Sequence, residues 1–90
     1  MTDDRKLKDL VSVGPATLED FDNLVISEVG QLVDKNAIEL FEELQEIKGQ
    51  KVDRCCEDVF RAAIEQARNP ELPKEKCQWY YWSRVRKNSQ

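Results

Sequence analysis

Backbone amides and cations around two predicted turns are the groups in this 90-residue sequence that could do chemistry. The first turn precedes Pro15, whose fixed φ and missing N–H suit the first position of a helix. The N–H groups at a helix start lie at the positive end of its dipole and can hold a phosphate oxygen. The turn therefore offers three candidate residues for binding a nucleic-acid phosphate, Val13, Gly14 and Ala16.

A second turn, Lys48-Gly49-Gln50-Lys51, has more positive charge around it. Cations near exposed amides favour a phosphate and make its binding sensitive to salt. The candidates here are Lys48, Gly49, Lys51 and Arg54.

Acidic residues leave a second interpretation open for the first turn. Glu19, Asp20 and Asp22 follow it within two helical turns, where they stabilise the helix but repel a phosphate. The first turn is therefore either a phosphate contact or a turn that serves packing alone.

The C-terminal segment combines four aromatic rings with cations. Trp79-Tyr80-Tyr81-Trp82 is followed by three candidate contacts for nucleic acid, Arg84, Arg86 and Lys87. Proteins that bind single strands use rings to stack on bases and cations to hold the backbone. The alternative is that the tryptophans cover one end of the core. The two interpretations are compatible. Trp79 and Trp82 are three residues apart on a helix and so share a face that can pack on the core, while Tyr80 or Tyr81 faces outward.

Charge is distributed unevenly along the chain. The formal net charge is −4, so a general attraction to nucleic acid is not expected. Residues 1–50 contain 5 basic and 12 acidic residues, whereas residues 51–90 contain 9 basic and 6 acidic ones. An anionic partner should therefore contact the C-terminal half.

The residue types argue against an enzyme. The chain has no histidine, and we find no nucleophile motif or glycine-rich nucleotide loop. The acids Glu39, Glu42, Glu43 and Glu46 fit a solvated helix face. We expect no catalytic residue, no metal, no cofactor and no small-molecule substrate.

Three cysteines are present, an odd number that indicates reduced thiols in the cytoplasm. No export signal or membrane span is expected. Cys55 and Cys56 lie in the first turn of a predicted helix, where the dipole could lower a thiol pKa. A thiol sensor that dimerises through Cys77 is therefore a third hypothesis, against the simpler interpretation of Cys56 as a small core residue.

Helical periodicity runs through the chain, and no strand is predicted. The first three helices are expected at 4–11, at 15–24 and in a short turn capped by Ser27. Two more are expected from Asn36 to Gly49 and, capped by Asp53, to about Arg68. Apolar residues at spacings of three and four should form the core, and they are Leu7, Leu10, Val11, Leu18, Phe21, Leu24, Val29, Leu32, Val33, Leu40, Phe41, Leu44, Ile47, Cys56, Val59, Phe60, Ala63, Ile64 and Ala67.

The order helix, turn, helix occurs twice, centred on Gly14 and on Gly49. Neither pair could bury its apolar face alone, so both should share one core. We predict an all-α domain of about five helices in residues 1–70. Residues 71–90 should form a linker and an aromatic, basic segment packed on it.

The sequence resembles a known family in three blocks. The first, Leu10-x-x-Val13-Gly14-Pro15-x-Thr17, is similar to the hairpin of helix-hairpin-helix domains. The others are Val52-Asp53-Arg54-Cys55 with Val59-Phe60-Arg61-Ala62-Ala63, and the aromatic Trp79–Trp82. Together they resemble a bacterial family named after a pathogenicity locus and sometimes labelled mitomycin resistance proteins. The resemblance implies a tandem helix-hairpin-helix fold, akin to the C-terminal domain of a competence regulator.

Two residues depart from that pattern. Ser12 stands where such hairpins usually have their first glycine. Val25 stands where the family commonly has a glycine that closes the second helix in a left-handed conformation. A β-branched residue is disfavoured at positive φ, so this helix end should be strained or closed differently.

The function expected from these observations is a small non-enzymatic module that binds DNA weakly and without sequence preference through its turns. The alternative is a protein-interaction domain, whose aromatic end contacts a protein partner or a second copy of the chain.

Overall fold

The computed structural model describes residues 5–88, and all of the regular secondary structure in that range is helical. The five α-helices are α1 Pro15–Asn23, α2 Ala37–Lys48, α3 Cys55–Arg68, α4 Lys74–Cys77 and α5 Trp79–Asn88. Two 3-10 turns, Leu7–Asp9 and Val29–Leu32, precede α1 and α2. The prediction of an all-α chain is confirmed. No helix in residues 5–88 is long and apolar enough to cross a membrane.

One core joins the two halves of the chain. Phe21 of α1 and Phe60 of α3 are fully buried, and their ring centroids lie 5.5 Å apart. The other large apolar residues of this core are Leu7, Leu10, Leu24, Ile26, Val29, Leu32, Leu40, Phe41, Leu44 and Ile64. Burial of apolar surface is the main force that holds such a core together. The helical spacing predicted most of these residues.

Three residues assigned to the core by spacing are exposed instead, namely Val11, Val33 and Ile47. Val11 follows the first 3-10 turn, and Val33 caps the second. Ile47 lies in the last turn of α2. The assignment of all three was wrong. Val11 and Val33 lie outside the α-helices, so the helical periodicity does not apply to them, whereas Ile47 follows the helical path but the last turn of α2 leaves it 48% exposed.

The first predicted helix is also shorter than expected. Its predicted start, Asp4, lies outside the described residues, and within them only the 3-10 turn Leu7–Asp9 forms. The Asp9 carboxylate accepts a 2.9 Å hydrogen bond from the N–H of Lys6. So short a segment gains little from helical hydrogen bonds, and its two buried leucines anchor it instead.

Helix ends follow the predicted chemistry in part. The side chain of Asn36 accepts hydrogen bonds from the N–H groups of Ile38 and Glu39, which confirms the start of α2. Gly49 ends α2 with a left-handed φ of 65°. Ser27 does not cap the second 3-10 turn, since Glu28 is the residue at its N-cap. The side-chain oxygen Oε1 of Gln31 accepts from the N–H groups of Ser27 and Glu28 at 2.7 and 2.8 Å instead.

Val25 closes α1 in a left-handed conformation, with φ 60°. The N–H of Ile26 donates to the carbonyl of Phe21 at 2.8 Å, and that of Val25 donates to Asp22 at 3.0 Å. This pattern is a Schellman motif, whose left-handed position is usually glycine. The prediction of a strained helix end at Val25 is confirmed.

α5 packs along α3 in the opposite direction. Near the N-terminus of α3, Arg86 binds Asp58, and the start of α5 lies beside the first turn through Ser12. The first turn also lies near the C-terminal half of α3. There the Gln66 side chain accepts a hydrogen bond from the N–H of Val11 and donates one to the Val11 carbonyl, both at 2.9 Å. Residues 74–76, which the sequence assigns to a linker, form the short helix α4 together with Cys77.

Candidate nucleic-acid interface

The first turn leaves the start of α1 open. Gly14 precedes α1 with φ −106°, and no atom lies within 4 Å of the position that a Cβ would occupy there. No side chain caps the helix. The N–H groups of Ala16 and Thr17 therefore have no acceptor within the helix. Val13 is partly buried against the core, so the backbone amides are the accessible groups.

Ser12 connects this turn to the aromatic segment. Its Oγ donates to the carbonyl of Cys77 at 3.2 Å and accepts from the N–H of Trp79 at 3.0 Å. Ser12 has a left-handed φ of 73°, the conformation for which the expected glycine would be suited. The first turn and the start of α5 therefore form one continuous surface. The sequence signal for this connection is a hydroxyl residue at a glycine position.

Two aromatic rings of that surface are exposed. Trp79 and Tyr80 are 40% and 49% exposed, and their rings meet edge to face with centroids 6.1 Å apart. The Arg84 guanidinium lies 6.0 Å from the centroid of Tyr80, and it is 4.0 Å from Glu75. Trp82 is only partly exposed, and its indole N–H donates to the carbonyl of Lys76 at 2.7 Å. Trp82 therefore packs on the fold, while Trp79 and Tyr80 are available for contact.

Two of the cations at the second turn form ion pairs with acidic residues. Lys48 Nζ lies 3.1 Å from Asp20, a hydrogen bond and ion pair that raise the Lys48 pKa. Arg54 lies 2.7 Å from Glu57, and its guanidinium is 5.1 Å from the centroid of the Phe41 ring. Lys51 is exposed and has no ion pair within residues 5–88. It is the cation of this turn that is free to meet an anion.

At the basic end of α5, one candidate cation is likewise paired with an acid and one is exposed. Arg86 makes two 3.0 Å hydrogen bonds with the buried Asp58, which raise the Arg86 pKa above its usual value. Lys87 is exposed, without an ion pair in the described part of the chain. The N–H of Cys55 donates to the Asp53 carboxylate at 3.0 Å and lowers its pKa, and the positive charge of Arg86 adds a smaller effect in the same direction.

The structure thus divides the ten candidates into two groups along α3. Gln66, which bonds the segment next to the first turn, is eleven residues beyond the start of α3, roughly 16 Å along the helix axis. Val13, Gly14, Ala16 and Arg84 lie on the side of the first turn and exposed rings. Lys48, Gly49, Lys51, Arg54, Arg86 and Lys87 lie towards the start of α3. The candidates therefore form two separate areas, called the two contact areas below, which the order of the residues in the sequence did not indicate.

The cysteines do not form a reactive centre. Burial raises the pKa of Cys55 to about 11, with a further contribution from the neighbouring Asp53 carboxylate. Burial also raises the pKa values of Cys56 and Cys77. The hypothesis that the helix dipole lowers the pKa of Cys55 or Cys56 is not borne out, because desolvation of the thiolate is the larger effect. Within residues 5–88, no group of three or more Cys, Asp or Glu side chains is arranged to hold a metal ion.

The comparisons with known proteins agree with the three sequence blocks. Residues 2–88 match the model of a family described as Cdd1, pathogenicity locus. The chain belongs to this family. The pathogenicity-locus chain is also 33% identical over 87 residues to "Mitomycin resistance protein McrB" of Streptomyces lavendulae, across 96% of this chain and 78% of that protein. No solved structure matches it.

Proposed function

We propose that the protein is a non-enzymatic module with a tandem helix-hairpin-helix fold, which binds DNA weakly and independently of sequence. Support for the fold comes from two hairpins that share one core. The 3-10 turn Leu7–Asp9 and α1 flank Gly14, and α2 and α3 flank Gly49. The family names describe a locus and a resistance, so the argument for DNA rests on the surface itself.

The observation that carries the proposal is the Ser12 connection. It sets the open amides of the first turn beside the exposed rings of Trp79 and Tyr80. Amides at a helix start suit a phosphate oxygen, and exposed rings suit a base. A phosphate and a base of the same DNA strand could therefore be bound side by side. Arg84, beside Tyr80, supplies positive charge to this surface.

The second contact area lies at the start of α3, where Lys51 and Lys87 are exposed. The ion pairs of Lys48, Arg54 and Arg86 reduce the charge that this area presents. Among the candidate cations in residues 5–88, Lys51 and Lys87 are exposed without an ion pair, and Arg84 is exposed with only a 4.0 Å contact to Glu75. Release of about three counterions predicts a logarithmic salt slope of about −3 on duplex DNA, which corresponds to weak binding at physiological salt.

A titration of fluorescently labelled DNA at low salt tests the proposal. The anisotropy should rise with protein concentration for unrelated sequences alike and fall again as salt is added. Lys51→Gln should reduce the affinity and lower the salt slope by about one. On DNA with 5′-hydroxyl ends, Lys35→Gln is the matched control, since Lys35 lies before α2 and outside both contact areas. An unchanged anisotropy at high protein concentration would end the proposal.

The alternative function is a protein-interaction domain. The observation that favours it is the exposure of Trp79 and Tyr80, together with an outer face of α2 that carries Glu39, Glu42, Glu43 and Glu46. A second copy could bring its basic C-terminal half to this acidic face. Sedimentation equilibrium separates the cases. A dimer that dissociates as salt is added indicates the contact between the acidic face and the basic half. A dimer that persists in salt and is lost in Trp79→Ala indicates an apolar interface, and a monomer at all salt concentrations argues against self-association.

A further inference from the structure

A cleft of about 240 Å³ lies away from both turns, between the start of α2, the middle of α3 and α5. Its lining residues are Lys35, Asn36, Ala37, Arg61, Ile64, Glu65, Arg68 and Trp82. Pockets for drug-sized ligands have volumes of roughly 300–1,000 Å³, so this cleft suits one small ring system with part of the ligand outside. The sequence had indicated no small-molecule substrate.

One wall of the cleft is a fixed aromatic ring. The indole N–H of Trp82 is held by the carbonyl of Lys76 at 2.7 Å. The Tyr81 ring meets it edge to face, with centroids 5.0 Å apart. Ala37 and Ile64 add apolar surface. Because its orientation is already set, the ring can pack against a flat ligand with little loss of side-chain entropy.

Two of the three cations that line the cleft have no ion pair with any residue that the structure describes. Arg68 donates to the carbonyls of Val33 and Lys35 at 2.9 and 3.1 Å and lies 3.5 Å from Glu65, so it serves the fold and balances the one acid in the cleft. The side chains of Lys35 and Arg61 have no ion pair or hydrogen bond within residues 5–88. The cleft therefore retains an excess of positive charge beside an aromatic wall.

From these features we infer that the cleft binds a 5′-phosphorylated nucleotide, with the base against Trp82 and the phosphate near Arg61 and Lys35. A guanidinium donates in a fork that matches phosphate oxygens, and an ammonium adds a compact charge. The same chemistry is offered by a free nucleoside monophosphate and by the 5′-terminal nucleotide of a DNA strand. The second source rests on the proposed function, whereas the first does not.

Tryptophan fluorescence tests the inference directly. Trp79→Phe leaves Trp82 as the single tryptophan, so its emission reports on the cleft. Nucleoside 5′-monophosphates should quench this emission to saturation, and the corresponding nucleosides should need at least about tenfold higher concentrations, because a charge-assisted hydrogen bond to phosphate is lost. Inorganic phosphate should compete with the nucleotide without quenching.

Variants in the same background identify the phosphate contact. Arg61→Gln and Lys35→Gln should each weaken nucleotide binding by about tenfold, whereas Arg84→Gln on the other surface should not. Arg61→Lys, which keeps the charge but loses the fork, should bind with intermediate affinity, and it keeps the test valid if Arg61→Gln fails to fold. Equal quenching by nucleotides and nucleosides, or equal affinity of the folded Arg61 variants and their parent, would refute the inference.

A pair of oligonucleotides separates the two sources. If strand ends are bound, a single strand with a 5′-phosphate should quench Trp82 more strongly than the same strand with a 5′-hydroxyl. If only free nucleotides are bound, neither strand should quench, and the cleft is a nucleotide site independent of DNA. Nucleotide binding without any DNA binding would refute the proposed function and support the nucleotide site in the cleft. No quenching by any of these ligands would refute the site.

Discussion

The Arg86 guanidinium donates two 3.0 Å hydrogen bonds to Asp58, one to each carboxylate oxygen, and thereby joins the end of α5 to the first turn of α3. Asp58 is only 1% exposed, so Arg86 takes the place of water as the partner of its carboxylate. A buried carboxylate without a partner is strongly unfavourable. The arrangement holds α5, with its exposed rings, in a fixed position on the core.

Arg86→Ala should therefore lower the free energy of unfolding by about 3 kcal/mol, because it leaves the Asp58 charge buried and unpaired. Urea unfolding followed by circular dichroism measures this loss. Arg84→Ala is the control, since its pair with Glu75 is exposed and at 4.0 Å, and it should change stability by less than about 1 kcal/mol. Similar losses for the two variants would contradict the anchoring role of Arg86.

Val25→Gly should stabilise the protein by about 0.5–1 kcal/mol. A left-handed conformation is unfavourable for valine by about 1–2 kcal/mol, and part of the gain is offset by the greater freedom of glycine in the unfolded chain. Val25 is 82% exposed, so little packing is lost. Val33→Gly is the matched control, because Val33 has φ −56° and should lose stability instead. A higher urea midpoint for Val33→Gly than for Val25→Gly would contradict the assigned strain.

Features that depend on neighbouring residues could be predicted from the sequence. Asn36 and Gly49 mark helix ends through local hydrogen bonds and φ, and the strain at Val25 follows from its place at the end of α1. Spacings of three and four likewise gave most of the core. These are properties of a few consecutive residues, so one sequence is enough to reveal them.

Pairings between distant residues could not be predicted. Ser12 bonds the N–H of Trp79 across 67 positions, and Gln66 bonds Val11 across 55. A sequence pattern shows that Arg86 is basic, but it does not show that Asp58, 28 positions away, neutralises it. Which candidate cations remain free for a ligand is therefore decided by tertiary packing.

Cys55 should react slowly with alkylating reagents at neutral pH, because burial raises its pKa to about 11 and the thiolate is the nucleophile. In a Cys56→Ser, Cys77→Ser background, the logarithm of the iodoacetamide rate should rise with unit slope from pH 7 to about pH 10 without a plateau. Asp53→Asn should increase the rate at a given pH, since it removes the nearby negative charge. A plateau near pH 8 would show that the thiol is exposed and activated.

The same shift affects stability in alkaline solution. Cys55 in the unfolded chain loses its proton at about pH 9, whereas the folded chain retains it until about pH 11. Between these values the unfolded state binds fewer protons, so stability should fall as pH rises. In the same two-serine background, Cys55→Ser should show a smaller fall over this range. Identical pH profiles for the two proteins would mean that Cys55 titrates alike in both states.

Ser12 combines an unfavourable φ of 73° with two hydrogen bonds to the segment that begins α5, and two substitutions separate these effects. Ser12→Ala loses the bonds and keeps the strain, so it should destabilise the protein by about 1–3 kcal/mol. Ser12→Gly loses the same bonds but accepts the left-handed conformation, so it should be about 1 kcal/mol more stable than Ser12→Ala. Both should speed amide hydrogen exchange at Trp79, because its N–H then lacks the Ser12 oxygen as acceptor. If exchange at Trp79 is unchanged in both variants, Ser12 does not hold the first turn against the exposed rings, and the continuous surface proposed for DNA loses its structural basis.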